Sequence, residues 1–321
     1  MAAPSVELTL PLRLGMTPWH ISSTMTADTL CQQAELAEDW GYQSFWLPES
    51  HFAGKPSLPD PMLLLAAIAA RTTTIKLATT SYLLPIRHPL HAAEQVAVLD
   101  QLSNGRLILG LGRGFQAGML DAFQLSSKEK RARFEQVLAT MQDAWAGQTV
   151  GSAEHGAVLA PLPKQRPHPP LWMAAFGPKA LAQAAKLGVP YLASPMETLQ
   201  KLEDNFSTYY AALAQFENPR PPEVAVMRTV FISDDPSRCE RIRNSLMELA
   251  SRSGSNAEPV DQSCLIGNTT EVAQQIMRYQ RQLGMNYLVA TRPRIPKIES
   301  EWCRESMRQL AVLVNRAPAA N

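Results

Sequence analysis

The chain has 321 residues, 45% of them hydrophobic and 18% charged, and a formal net charge of +1. That apolar content is ample for a large core and excludes a disordered chain, except at ends such as Ala317–Asn321. Near-neutral charge and six scattered histidines exclude the footprint of a nucleic-acid or anionic-membrane binder, so a small molecule is the expected partner.

Cys31, Cys239, Cys264 and Cys303 stand far apart, with no CxxC pair and no histidine cluster at ligand spacing. No metal site is expected, and the cysteines read as reduced, buried thiols of a cytoplasmic protein. The stretch MAAPSVELTLPLRLG lacks a basic region followed by an apolar one, so no signal peptide is expected. The longest apolar run, Met62–Ala70, is too short to span a bilayer.

In chain order, apolar runs predict strands at Leu8–Gly15, Gln43–Leu47, Ile75–Thr80, Leu107–Gly112, Leu171–Ala175, Pro190–Ala193, Val224–Ile232 and Asn286–Thr291. Four of them follow a helical segment that ends in glycine, at Gly41, Gly105, Gly188 and Gly284. Glycine closes helices because it enters the left-handed region without a Cβ penalty. Thr26 caps a segment with Leu30, Ala34 and Ala37 on one face. Phe134, Val137, Leu138, Met141 and Trp145 share another helical face. Asn268, three residues before Glu271, opens a helix with Val272, Ile276, Tyr279 and Leu283 inward.

Eight near-continuous apolar strands alternating with helices predict a (β/α)8 TIM barrel rather than an open doubly wound sheet. No break in composition marks a second domain, so residues 1–321 read as one. Gly147–Pro170, rich in Gly, Pro and His, reads as a long insertion between the fourth helix and the fifth strand. Loops of that length are often functional, and this one is expected to help cover a pocket.

A barrel keeps its chemistry at the carboxyl ends of its strands. There the sequence places Glu49-Ser50-His51-Phe52, Thr79-Thr80-Ser81, Arg113-Gly114, Ala175-Phe176-Gly177-Pro178-Lys179 and Ser194. Gly177 and Pro178 suit the cap and first residue of a helix whose open amides attract an anion. Lys179 adds charge, and Arg113 offers a bidentate partner for the same anion. His51 reads either as a proton donor and acceptor or as a hydrogen-bonded wall residue, and His88 as the structural entry to the third helix. The run LGLGRGF, Leu109–Phe115, is not a dinucleotide fingerprint: Phe115 stands where the third glycine belongs, and the next helix is expected near Lys128. Its glycines read as small residues that leave room for a ligand.

LPESHF, then RTTTIKLATTSYLLPIRHPLHAAEQVAVLDQLSNGRLILGLGRGF, then RPHPPLWMAAFGPKA, LIGNTTEVAQQI and LGMNYLVATRP together resemble the bacterial luciferase-like flavin monooxygenases over nearly the whole chain. The resemblance implies a (β/α)8 barrel that binds reduced FMN, with O2 as co-substrate and a small organic substrate. A flavin reductase is the implied partner and a homodimer the implied assembly. It assigns Thr80 and Ser81 to a bulge under the isoalloxazine, often with a non-proline cis peptide. Arg113 takes the phosphate with Gly114 and Phe115 beside it. Ala175, Phe176, Gly177 and Lys179 fall in a second phosphate loop, Ser194 at a nearby strand end, and His51 is the candidate for proton transfer. Ser50 stands where luciferase has its catalytic histidine, and Phe176-Gly177 where it has a Glu-Ser pair, so light emission is not expected. The alternatives are an oxidoreductase using a reduced 5-deazaflavin coenzyme and a non-catalytic flavin-binding paralogue.

Overall fold

A computed structural model describes residues 8, 10–21, 26–52, 57–152, 154–252 and 260–315; the Ala317–Asn321 tail lies outside them. Among these residues ten strands share one sheet: β1 (Arg13–Met16), β2 (Ser44–Leu47), β3 (Lys76–Thr79), β4 (Tyr82–Leu83), β5 (Leu107–Gly112), β6 (Leu171–Ala174), β7 (Tyr191–Ala193), β8 (Ala225–Ile232), β9 (Cys264–Gly267) and β10 (Tyr287–Thr291). The order β10-β1-β2-β3-β5-β6-β7-β8 returns on itself through a β10–β8 pairing. This is the closed parallel barrel expected of eight strands alternating with helices, and all eight predicted strands are its staves. Every strand is buried along most of its length, which is why the runs read as continuous rather than alternating.

The elements that depart from the expected alternation include two strands and a short helix. β4 has only two residues, too few to carry a pattern, and pairs with β5 beyond β3. β9 pairs with the second half of β8, from Thr229↔Cys264 to Ile232↔Gly267, while the first half pairs with β10. The helix Ala117–Ala122 contradicts the expectation that the next helix after LGLGRGF begins near Lys128. It holds six residues with Gly118 inside, below the length at which helical periodicity shows.

The chain divides into two compact units. One comprises residues 22–35 and 46–174, the other residues 1–21, 36–45 and 175–321. In the first, the helices Pro61–Ala69, Pro89–Leu102 and Lys130–Trp145 accompany β3, β5 and β6. Phe134, Val137, Leu138, Met141 and Trp145 are all buried, as their spacing requires. The Trp145 indole donates to the Ala93 carbonyl at 3.1 Å, and Trp46 packs on Trp172 with ring centroids 5.2 Å apart. Arg106 is buried before β5, its guanidinium donating to the carbonyls of Ala69, Thr72, Ile75 and Ser103. A buried cation is tolerable when its donors are satisfied in this way.

In the second unit, β10 pairs with β1 from Arg13↔Tyr287 to Met16↔Ala290. Arg228 is fully buried; it donates to Tyr279 Oη at 2.8 Å and to the carbonyls of Ser194, Met227 and Glu197. The helix Thr269–Leu283 starts with a complete capping box between Asn268 and Glu271 and ends at Gly284 in the left-handed region, φ 72°. Asn268→Ala should lower stability by ~1 kcal/mol, measured as a shift in the urea midpoint at constant slope.

The segment before β6 does not take the covering role expected of it. Between Trp145 and Leu171, described residues form only an isolated bridge, Val150↔Ala157. Gln165 donates to Asp100 and to the carbonyl of Leu107, the first residue of β5. Gln101 bonds the Leu162 carbonyl at 2.8 Å. This stretch is therefore anchored at the amino end of β5, opposite to Arg113. A loop that leads from a helix into a parallel strand arrives on the amino face, away from the ligand end.

Candidate active site

Each residue singled out from the sequence lies at or just beyond the carboxyl end of a strand. In the first unit three donors converge on Glu49, two residues beyond β2, whose side chain is 0% exposed. Its Oε2 accepts from the Leu83 amide at 2.9 Å. Its Oε1 accepts from Arg87 Nη2 at 2.6 Å and from His51 Nε2 at 2.7 Å. Because both oxygens serve as acceptors, the Nε2 proton is assigned to His51 and Nδ1 is left as the basic atom of the ring. Arg87 also lies over the Tyr82 ring, 3.8 Å from its centroid, and Tyr82 Oη donates to Gln95 at 2.9 Å. Burial pushes the Tyr82 phenol well above its ordinary value, so it acts as a donor and not as a base.

His51 meets Phe123 edge-on at 5.0 Å, and Phe123 in turn lies 5.8 Å from Phe52. Phe52 and Phe115 are among the most exposed large apolar residues, at 73% and 75%. Ser50 accepts from the Leu58 amide at 3.0 Å, so its hydroxyl fastens its own loop.

Thr80 and Ser81 follow β3, and the peptide between them is cis. Thr80 N donates to the Leu47 carbonyl at 2.8 Å, and Thr79 Oγ1 to the Gly110 carbonyl at 2.8 Å. The glycines of LGLGRGF are explained here, and not as ligand space. A Cβ on Gly110 would fall on the Thr79 carbonyl oxygen, and one on Gly112 on the Ser81 hydroxyl. Gly114, at φ 71°, would bring a Cβ to 2.8 Å from Met119. These positions are small because the neighbouring chain occupies the volume.

Arg113, next after β5, is half-buried and has no hydrogen-bond or ion-pair partner among the described residues. Burial holds its guanidinium below the ordinary value; Arg131 adds to this and Glu135 opposes it. Lys130 donates to the Gly114 carbonyl at 2.9 Å, and its ammonium is lowered first by burial and then by Arg113. Three cations thus gather where one arginine was expected. Such a group repels itself until an anion arrives, and a phosphate with its several acceptor oxygens suits it.

In the second unit, Ala175 is buried and Phe176 is 52% exposed. Gly177 caps the helix Pro178–Lys186 at φ 76°, with Pro178 in its first turn. Nothing lies within 4 Å of a Cβ built on Gly177, and the Ala180 and Leu181 amides donate to the Gly177 carbonyl at 3.1 and 3.2 Å. Lys179 is exposed. Ser194 is buried, and its hydroxyl accepts from the Met196 amide at 3.2 Å. The Ser194 amide donates to Glu197 Oε2, and Tyr191 and Asn205 also donate to that carboxylate. Burial raises the Glu197 carboxyl despite these donors. No group of His, Cys, Asp and Glu among the described residues is placed to hold a metal, and no described helix is long and apolar enough to cross a membrane.

The chain is thus a (β/α)8 barrel with a cationic cluster and a carboxylate-held histidine at its strand ends. The family described as luciferase-like monooxygenase matches residues 13–286, and the chain belongs to that family. Relatives include the oxygenase component of the flavin-dependent trigonelline monooxygenase of Acinetobacter baylyi, 26% identical over 231 residues, which are 68% of this chain and 63% of that one. The chain thus spans a little under two thirds of that relative's length. Among solved structures, the monooxygenase RslO1 of Streptomyces bottropensis superposes with a TM-score of 0.80 at 25% identity, over 95% of this chain and 99% of that one. The oxygenating constituent of 3,6-diketocamphane monooxygenase of Pseudomonas putida, in complex with FMN, shares the fold at a TM-score of 0.79 and 19% identity, over 97% and 100%. A coenzyme F420-dependent tetrahydromethanopterin reductase of Methanopyrus kandleri shares it at 0.71 and 18%, over 95% and 99%.

Proposed function

We propose that the chain is the oxygenase component of a two-component system that takes reduced FMN from a separate reductase and uses O2 to oxygenate a small organic substrate. The observation that carries this reading is the unpartnered Arg113 beside Lys130 and Arg131, a cluster whose chemistry fits a flavin phosphate. The name of the Acinetobacter relative, an oxygenase component, supports the reductase partner. When bound, reduced flavin supplies the electrons that activate O2.

The chain's own residues perform the remaining tasks. Arg113 and its neighbours neutralise the phosphate. Thr80 and Ser81, braced by Leu47 and by the glycines of β5, support the ring. His51, fixed through Nε2 by Glu49, takes or returns a proton at Nδ1. Phe52, Phe115 and Phe123 give an apolar rim suited to an organic substrate and to excluding water.

Arg113→Ala should weaken reduced-FMN binding by about 1.5–3 kcal/mol, read from anaerobic titration of both proteins. An unchanged affinity removes Arg113 from the site. The deazaflavin reading is tested in the same cell: preferential binding of a reduced 5-deazaflavin coenzyme over reduced FMN would replace oxygenation with hydride transfer. Binding of FMN without any oxygen uptake across aldehydes, ketones, aromatics and carboxylic acids would favour the non-catalytic paralogue. The homodimer implied by the family and a cytoplasmic location belong to the same proposal, and light scattering of the purified chain checks the former.

A further inference from the structure

In the stretch LPIRHP, His88 and Pro89 start the helix Pro89–Leu102, while Arg87 has no part in the reading above. Its backbone is pinned on both sides. The Arg87 amide donates to the Leu84 carbonyl at 3.0 Å, and its carbonyl accepts from Arg133 Nη2 at 3.4 Å. Its guanidinium rests 3.8 Å from the centroid of the Tyr82 ring, and Gln95 holds that ring through the hydroxyl at 2.9 Å. These residues, with Glu49 and His51, all lie in the one unit comprising residues 22–35 and 46–174.

An arginine that serves only to anchor a carboxylate commonly takes both oxygens in a fork. Arg87 does not. The Leu83 amide takes Oε2 of Glu49, and Arg87 meets Oε1, the same oxygen that accepts from His51. Arg87 Nε is buried without a hydrogen-bond partner among the described residues. One oxygen thus stands 2.6 Å from a permanent cation and 2.7 Å from an imidazole that can become one. The Glu49 side chain is fully buried and those of Arg87 and His51 nearly so, so water screens these charges little. His51 faces Glu49 and, behind the shared oxygen, Arg87; its ring neighbours Phe52 and Phe123 carry no charge. Tyr82 and Arg133 adjoin Arg87, and the charge of Asp60 is felt at Tyr82.

A carboxylate beside an imidazole favours the imidazolium, and a cation on the same oxygen opposes that pull. We propose that Arg87 is a positioning residue for proton transfer at His51: its charge keeps the Glu49–His51 pair one proton short, as a carboxylate and a neutral imidazole with Nδ1 bare. His51 then begins as a proton acceptor and returns the proton afterwards. That this transfer belongs to catalysis rests on the oxygenase reading; the proton count of the pair does not.

The test uses the full chain without flavin, isotopically labelled at the histidine nitrogens and glutamate carboxyl carbons for NMR, as native protein, Arg87→Gln and Arg87→Lys. Glutamine keeps a donor for Oε1 and removes the charge, whereas lysine keeps the charge. At one near-neutral pH, the ratio of pairs carrying the extra proton, on His51 or on Glu49, to pairs without it should rise at least about tenfold in Arg87→Gln. It should change far less in Arg87→Lys. An unchanged ratio in Arg87→Gln overturns the proposal, and so does an equal rise in both variants. If Arg87→Gln does not fold, Glu49→Gln is compared with the double variant Glu49→Gln/Arg87→Gln, which leaves no buried charge unpaired. His51 should then be protonated on both nitrogens more often in the double variant, and equal protonation overturns the proposal. Turnover of Arg87→Gln should fall at neutral pH and recover as rising pH removes the extra proton; a loss equal at every pH marks a structural role and overturns it. Absence of O2 uptake by the native chain with reduced FMN overturns the oxygenase reading instead, and leaves the labelled shifts interpretable.

Discussion

Glu49→Ala should cost about 3–5 kcal/mol of stability, the usual result of removing one member of a buried ion pair. The carboxylate has no exposure to water, and three donors converge on it. Its loss leaves the Arg87 charge, only 15% exposed, without its carboxylate, and frees the Leu83 amide beside β4. Tyr82 cannot compensate, because its hydroxyl is held by Gln95. Glu49→Gln should be milder, since the amide oxygen can still accept from one or two of the donors, although its NH2 group faces Arg87 or His51. Urea unfolding of the three proteins decides the matter. A loss below ~1 kcal/mol for the alanine variant would show that water or a side-chain rearrangement satisfies Arg87 instead. Activity separates the two roles of Glu49: Glu49→Gln should lower turnover through His51 even where the fold survives.

Gly110→Val is the second large effect. The new side chain would be built into the Thr79 carbonyl, and that oxygen belongs to the backbone and cannot rotate away as a side chain can. Moving it also breaks the bond from Thr79 Oγ1 to the Gly110 carbonyl and displaces the Thr80–Ser81 peptide that follows. Overpacking commonly costs about 1–3 kcal/mol when neighbours can shift; here the strand itself must move, and the loss should exceed that range. Gly118→Ala is the matched control. Nothing lies within 4 Å of its Cβ inside the helix Ala117–Ala122, so it should gain roughly 0.5–1 kcal/mol from helix propensity. If both variants melt alike, the contact between β3 and β5 is looser than described.

The barrel was legible because its punctuation is chemical. Gly41, Gly105, Gly188 and Gly284 all have φ between 64° and 86°, and each stands where a helix hands over to a strand. Leu107–Gly112 was bounded as observed, and the other barrel strands overlap their predicted spans with ends displaced. Regular periodicity cannot reveal β4, which exists only because the chain turns at Thr80–Ser81 and rejoins β5. Arg113 was legible from its place after a strand. Lys130 and Arg131 were not, because they open a helix many residues later and reach Arg113 only through the fold. Glu49 was visible beside His51 but carried no role, since neither Arg87 nor the Leu83 amide is near it in sequence. The insertion before β6 was misjudged because its composition suggests function while its topology places it on the amino face.

The four cysteines offer a use of a different kind. All are buried thiols, and burial pushes the thiols of Cys31 and Cys239 up and that of Cys303 up to about 11. They are therefore silent toward alkylating reagents until the chain around them opens. Cys31 lies in one compact unit, and Cys239, Cys264 and Cys303 lie in the other. The chain thus carries an internal clock with one hand in each unit. Under mild denaturant, equal alkylation rates at Cys31 and at the other three would mean that the two units melt as one cooperative body. Separate rates would show that one half of the barrel loosens first, and would identify which.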